Sequence, residues 1–190
     1  MALSVSDDTL KSELPKSELI VALVEPRIPQ NVGNIARLCV CAGAELYLVG
    51  SLGFRQNDKF LKRAGMDYLG QIHVHHVSDL KDLLALKPDW SVYFLSTKAS
   101  NNYSAVRFPE KSILVFGSET KGLPEWLIEQ YPDNSLRIPM MPEARSLTLS
   151  NSVAIVLFEA LRQQGFSGLA QTPSASTPEM DEIWLEEALL

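Results

Sequence analysis

Six short apolar runs punctuate the chain: LIVALVE (19–25), ELYLV (45–49), QIHVHHV (71–77), SVYFLST (91–97), SILVFG (112–117) and SLRIP (135–139). Helical patterns fall between many of them. Residues 31–42 place Ile35, Leu38, Cys39 and Ala42 at i, i+3, i+4 and i+7, an apolar stripe that Gly43 stops before the next strand. SDLKDLLALK opens with Ser78 as a cap, and LTLSNSVAIVLFEALRQQG is the longest helix, closed by Gly165. Strands alternating with helices in this way constrain the fold to the α/β class, a mostly parallel sheet with helices on both faces. With 190 residues, 46% of them hydrophobic, one domain with a sizeable core is expected.

The two ends differ from the middle. Past Gly168, AQTPSASTPEM reads as a polar linker and DEIWLEEALL as an acidic segment, either a short amphipathic helix docking through Ile183, Trp184 and Leu185 or a free tail. The chain thus divides into an N-terminal extension (1–18), a domain (19–168) and a linker with acidic tail (169–190). The net charge of −6 argues against a polyanionic partner until it is located. Residues 1–18 hold four acids and two bases and residues 179–190 five acids and no base, so residues 19–178 keep 14 acids against 15 bases. The domain itself is near neutral.

No apolar run approaches the ~20 residues of a bilayer span, and MALSVSDDTLKSELPK has neither a signal core nor an Arg-rich transit pattern. A cytoplasmic protein without a membrane partner is expected. Cys39 and Cys41 sit two apart on one helix, where side chains diverge, so reduced thiols are expected rather than a disulfide or shared metal. His73 and His75 share a strand face with no ligand pattern around them, and no metal site is expected.

Three polar clusters remain. After the first strand, EPRIPQNVGNIARLC puts Asn34 and Arg37 opposite the apolar stripe, near a helix N-terminus and beyond a strand end, where open α/β sheets place ligands. An arginine there can hold a phosphate; the alternative is an exposed helix face capped by Asn31. LVFGSETKGLPEWL carries Gly117 and Gly122, which permit close backbone approach to a flat ligand, but neither a phosphate loop nor a dinucleotide fingerprint is present. RIPMMPEARSLTLSNSV is stiffened by Pro139 and Pro142 and offers Met140 and Met141 as apolar surface. Each alone could be mere connection.

In this order, N-x-G-N-x-x-R, F-G-S-E-T-K-G-L-P and R-I-P-M…S-L-T-L-S-N-S-V closely resemble the three motifs of SPOUT-class (SpoU/TrmH) RNA ribose 2′-O-methyltransferases. EPRIPQNVGNIARLC, GFRQNDKFLKRAGMDY and STK are most similar to the TrmL-type branch, which acts on the wobble cytidine or uridine of tRNA. The resemblance covers about residues 19–168. It implies a C-terminal trefoil knot whose loops hold S-adenosylmethionine, and a homodimer that forms the tRNA site. Carried over, the cofactor contacts are Leu95, Gly117, Ile138 and Ser146, with Gly122, Met140 and Leu147 lining the same pocket. Arg37 matches the arginine assigned to activate the ribose hydroxyl. A guanidinium of pKa above ~12 is a poor base, so holding a phosphate and stabilising an alkoxide stays open as its role. Asn34 would orient Arg37 or the ribose. Glu119 would position Arg37 by charge pairing or serve the knot structurally.

One position departs from the family, which usually has Asn where this chain has Thr148; threonine keeps a hydroxyl but loses the amide's reach. The rival readings are the same chemistry on another RNA, or an inert RNA-binding module for which Thr148 is the support. For RNA, Lys59, Lys62 and Arg63 share one helix face beside Arg55, Phe54 and Phe60, a basic and aromatic patch or a solvated face. Arg27, Arg37 and Arg145 around the pocket are the other candidates to hold the substrate.

Overall fold

A computed structural model describes residues 17–54 and 74–172. Residues 1–16 of the expected N-terminal extension, most of the basic patch (Arg55, Lys59, Phe60, Lys62, Arg63), His73 and the acidic tail lie outside these residues.

Each of the six apolar runs contains a strand among the described residues. β1 (Leu19–Val24) is followed by α1 (Pro29–Ala42), β2 (Glu45–Val49), β3 (Val74–Val77), α2 (Leu80–Leu86), β4 (Ser91–Leu95), β5 (Asn101–Asn102), β6 (Ser112–Phe116), α3 (Glu125–Gln130), β7 (Ser135–Arg137) and α4 (Leu149–Gln163). Among the described residues the strands form one seven-stranded sheet in the order β3-β2-β1-β6-β4-β7-β5, and each pairing between them is parallel. β5 is only two asparagines at the edge, too short and polar to leave an apolar signal in the sequence. The short α3 was likewise not anticipated.

Strand periodicity sorts the core. Leu19 to Leu23 of β1 are wholly buried, with Leu19, Val21 and Leu23 on one face and Ile20 and Ala22 on the other. The first face packs under α1 and α4 through Val32, Ile35, Ala36, Cys39, Val153, Val156 and Leu157; the second packs under α2 and α3 through Leu83, Leu127 and Ile128. Each buried Val, Ile or Leu side chain among them stabilises the fold by roughly 1.5–3 kcal/mol relative to exposure. β1 is therefore an interior strand of the sheet, covered on both faces.

α1 begins with Pro29 in its first turn, where the missing N–H costs nothing, and ends at Gly43, whose φ of 64° supplies the left-handed cap. Of its cysteines, Cys41 is exposed, while burial, and secondarily Cys41, push the Cys39 thiol up to about 12. α4 is capped by the Thr148 hydroxyl, which accepts the Asn151 N–H at 3.4 Å. Near its far end Gln163 donates to the Val106 carbonyl (3.0 Å) and accepts the Phe108 N–H (2.9 Å), tying the helix to the chain before β6. The cap of α2 is Asp79, not Ser78: the Asp79 carboxylate accepts the Asp82 N–H at 2.9 Å, which leaves Ser78 one residue outside the helix. His75 stacks on Tyr47 (4.4 Å) and lies 3.4 Å from Glu45, so this histidine belongs to the strand surface.

Candidate functional site

Parallel neighbours end on the same side, so the loops after β1, β4, β6 and β7 converge at one carboxyl edge of the sheet. They enclose a cavity of about 510 Å³. β4 contributes Leu95 to Lys98, the β6 loop Phe116 to Leu123, the segment after β7 Ile138 and Met140, and the approach to α4 Arg145 to Leu149. Leu95, Gly117, Gly122, Ile138, Met140, Ser146 and Leu147 all stand on its wall, although the sequence spreads them over 53 positions. Arg145 is on the wall as well. Among the described residues, Lys98, Lys121 and Arg145 are its basic lining residues and Glu119 its one carboxylate; Lys98 pairs with Glu125 at 3.2 Å, so Lys121 and Arg145 are the cations the wall offers to an anionic partner.

The β6 loop is closed on itself. The Gly122 N–H donates to the Ser118 carbonyl at 2.8 Å, and the Ser118 hydroxyl accepts the Lys121 N–H at 3.3 Å. Gly117 has a steric reason of its own to be glycine: a Cβ there would collide with the backbone of Gly122 and Leu123. Gly122 needs its freedom for a φ of +66°, and the direction of its missing Cβ is open.

Glu119 faces away from this loop toward α1. Its Oε2 accepts the Arg27 N–H at 2.8 Å, and its Oε1 accepts the Ile28 N–H at 3.2 Å and Asn31 Nδ2 at 3.0 Å. Ile28 is the residue at the N-cap position and has no side chain able to cap, so the expected capping role of Asn31 falls instead to a carboxylate 88 residues away from Asn31. Asn31 spans the junction, because its Oδ1 also accepts the Ser150 hydroxyl of α4 at 3.4 Å. The amide orientation follows from chemistry: a carboxylate only accepts, so the NH₂ must face Glu119. Asn31 and Ile28 line the cavity.

Asn34 and Arg37 are exposed on α1 and off the cavity wall, on the side opposite the buried stripe. Six residues of helix place the Arg37 backbone about 9 Å beyond Asn31 along α1. Arg27 sends its guanidinium to Glu25 at 3.4 Å. Glu25 itself adopts a φ of 48°, rare for a residue with a side chain, at the point where β1 turns into this loop. Thr148 lines the cavity while its hydroxyl oxygen caps α4, and the adjacent Ser152 hydroxyl donates to the Thr148 carbonyl at 3.1 Å. Lys59, Lys62 and Arg63 lie outside the described residues.

Residues 18–158 match the SpoU rRNA Methylase family. Over 149 residues, 78% of this chain and 97% of the relative, the sequence is 44% identical to the tRNA (cytidine(34)-2′-O)-methyltransferase of Methylovorus glucosotrophus. A solved structure described as giving insights into the 2-OH methylation of C/U34 on tRNA superposes with a TM-score of 0.73 at 36% identity, covering 78% of this chain and 97% of that one. An AdoMet-bound rRNA methyltransferase from Sinorhizobium meliloti superposes with a TM-score of 0.69 at 29% identity, covering 78% of this chain and 57% of that one. With its second and third motifs and Asn31 of the first on one cavity, and most of its length matched, the chain belongs to the SpoU rRNA methylase family.

Proposed function

We propose that this protein transfers a methyl group from S-adenosylmethionine to the ribose 2′-hydroxyl of the wobble nucleotide of tRNA, cytidine or uridine 34 in the anticodon. The observation that carries the reading is the cavity, whose wall unites the second and third motifs with Asn31 of the first, in a chain 44% identical to an enzyme named for that reaction. The residues fit the cofactor. About 510 Å³ lies within the ~300–1,000 Å³ of small-molecule sites, Leu95, Ile138, Met140 and Leu147 offer apolar walls for a purine, and Ser96, Thr97 and Ser146 offer polar groups to orient it.

When bound, S-adenosylmethionine supplies an electrophilic methyl group. The protein's task is then to align the ribose hydroxyl and ease the loss of its proton. Arg37 of α1 holds the adjoining phosphate and stabilises the negative charge that develops on the 2′-oxygen, and Asn34, one turn nearer the N-terminus, orients the ribose or Arg37. Lys121 and Arg145 on the rim, with Arg27, draw the RNA backbone toward the opening. Lys59, Lys62 and Arg63, outside the described residues, are the further candidates to meet the RNA backbone.

The C-terminal trefoil knot is supported by the chain path. β7 lies between β4 and β5, yet α4 packs back on α1, β1 and β6, so residues 138–148 cross the carboxyl edge past the closed loop 117–122. A homodimer is supported by apolar residues left exposed at the start of α1 and on α4, namely Ile28 and Phe158. No helix among the described residues is long and apolar enough to cross a membrane, and a tRNA substrate assigns the protein to the cytoplasm. The test is incubation with total tRNA and methyl-labelled cofactor, followed by mapping of the labelled nucleotide. Label on the 2′-oxygen of nucleotide 34 supports the reading; label elsewhere, or none, overturns it.

A further inference from the structure

The four hydrogen bonds around Glu119 and Asn31 link the three motifs at one point: Glu119 from the second, Arg27, Ile28 and Asn31 from the first, and Ser150 from the third. We propose that Glu119 is the positioning residue of the reaction, and that it acts by holding the N-terminus of α1, not by pairing with Arg37. The inference rests on the methyl-transfer reading given above. Three N–H groups converge on one carboxylate, which is near the useful limit for its two oxygens, and two of them are backbone groups at a helix start that offers no cap of its own. Charge-assisted bonds of this kind are about twice as strong as neutral ones, and a carboxylate at a helix N-terminus also meets the positive end of the helix dipole.

The consequence for chemistry is mechanical. Asn34 and Arg37 ride on α1, and the loop that holds Glu119 is one wall of the cavity. The carboxylate therefore sets the distance between whatever occupies the cavity and the side chains that meet the ribose. Asn31, with one face on the cavity and its amide bonded to both Glu119 and Ser150, fixes α4 in the same frame. A misplacement of about 1 Å in such a frame lowers a rate by roughly 100-fold while leaving binding of the separate partners largely intact.

The test measures three quantities for Glu119→Ala, Glu119→Gln, Asn31→Asp and the Glu119→Gln/Asn31→Asp pair in the full-length protein. These are the single-turnover rate of methyl transfer to tRNA, the calorimetric Kd for S-adenosylmethionine, and hydrogen exchange at the Arg27 and Ile28 amides. Glu119→Ala should lose about 100-fold in rate with a much smaller change in Kd, and the two amides should lose protection. Glu119→Gln, which keeps one acceptor oxygen, should fall between. Asn31→Asp sets two carboxylates together and should be slow; adding Glu119→Gln restores a donor between them and should recover part of the rate. Wild-type transfer to tRNA is the control for the underlying reading, and the exchange data stand without any activity. The proposal is overturned if Glu119→Ala or Glu119→Gln keeps the wild-type rate. It is equally overturned if Kd worsens as much as the rate, if the amides stay protected, or if the paired variant recovers nothing over Asn31→Asp.

Discussion

Replacing Gly117 with alanine adds one methyl group, and the structure says where it goes. The new Cβ would fall on the carbonyl carbon of Gly122 and the amide nitrogen of Leu123. Backbone atoms cannot rotate aside as a flexible side chain does, so the loop must open against the Gly122–Ser118 hydrogen bond of 2.8 Å that closes it. Overpacking costs typically 1–3 kcal/mol, and a rigid obstacle argues for the upper end, about 3 kcal/mol. In a domain of this size that lowers Tm by roughly 6–12 °C. Gly122→Ala is the internal control: its Cβ points into open space, but its φ of +66° costs an L residue about 1 kcal/mol, or roughly 2–4 °C. Because residues 116 to 123 form one side of the cavity, Gly117→Ala should also weaken S-adenosylmethionine binding by about tenfold or more, the equivalent of about 1.4 kcal/mol. Differential scanning calorimetry and titration calorimetry on the two variants decide the matter. If Gly117→Ala melts like wild type and binds the cofactor equally well, the loop yields without cost and the steric argument is wrong.

Arg37→Ala should leave Tm and cofactor affinity nearly unchanged, since the side chain is exposed and the buried stripe of α1 is complete without it, while methyl transfer falls by about 10²–10³-fold; retained turnover removes Arg37 from the chemistry. In the native protein iodoacetamide at mildly alkaline pH should label Cys41 and spare Cys39, whose buried thiol stays protonated to about 12, and mass spectrometry showing Cys39 modified without unfolding contradicts that burial. Hydrogen bonds from Arg162 and Gln163 hold the Glu159 carboxyl below its usual range, so the native state binds fewer protons there than the unfolded chain. That contribution is present at neutral pH and lost as pH falls below about 4.3 and through the lower native value, so Glu159→Gln should flatten the acid limb of a Tm-versus-pH curve; an unaltered limb refutes it. Finally, tRNA affinity should show a shallow salt dependence for a near-neutral domain, and removing Lys59, Lys62 and Arg63 together should flatten it further; an identical slope means that these side chains do not meet phosphate.

The positions of strands and long helices were legible in the sequence because they rest on short-range patterns. β2 coincides with ELYLV, β1, β4, β6 and β7 fall inside their apolar runs, and α1 ends at Gly43 where a left-handed glycine was expected. The candidate residues on the cavity wall were nameable through the motifs and their resemblance to a family, not through any local physical rule. Local reasoning missed what carries no local signal, such as the two-asparagine strand β5 and the choice of Asp79 over Ser78.

Only the tertiary structure decided that β6 sits between β1 and β4, which brings the loop of Glu119 over the start of α1. From that follow the carboxylate cap on a helix whose own N-cap residue is an isoleucine, the part Asn31 plays between Glu119 and Ser150, and the reason Gly117 must lack a side chain. Each depends on atoms far apart in the chain, and no periodicity or spacing within one segment encodes which distant backbone will pass within a hydrogen bond of it. Periodicity determines which face of an element is buried; the order of strands in the sheet determines which loops meet, and in this protein the candidate site is made where they meet.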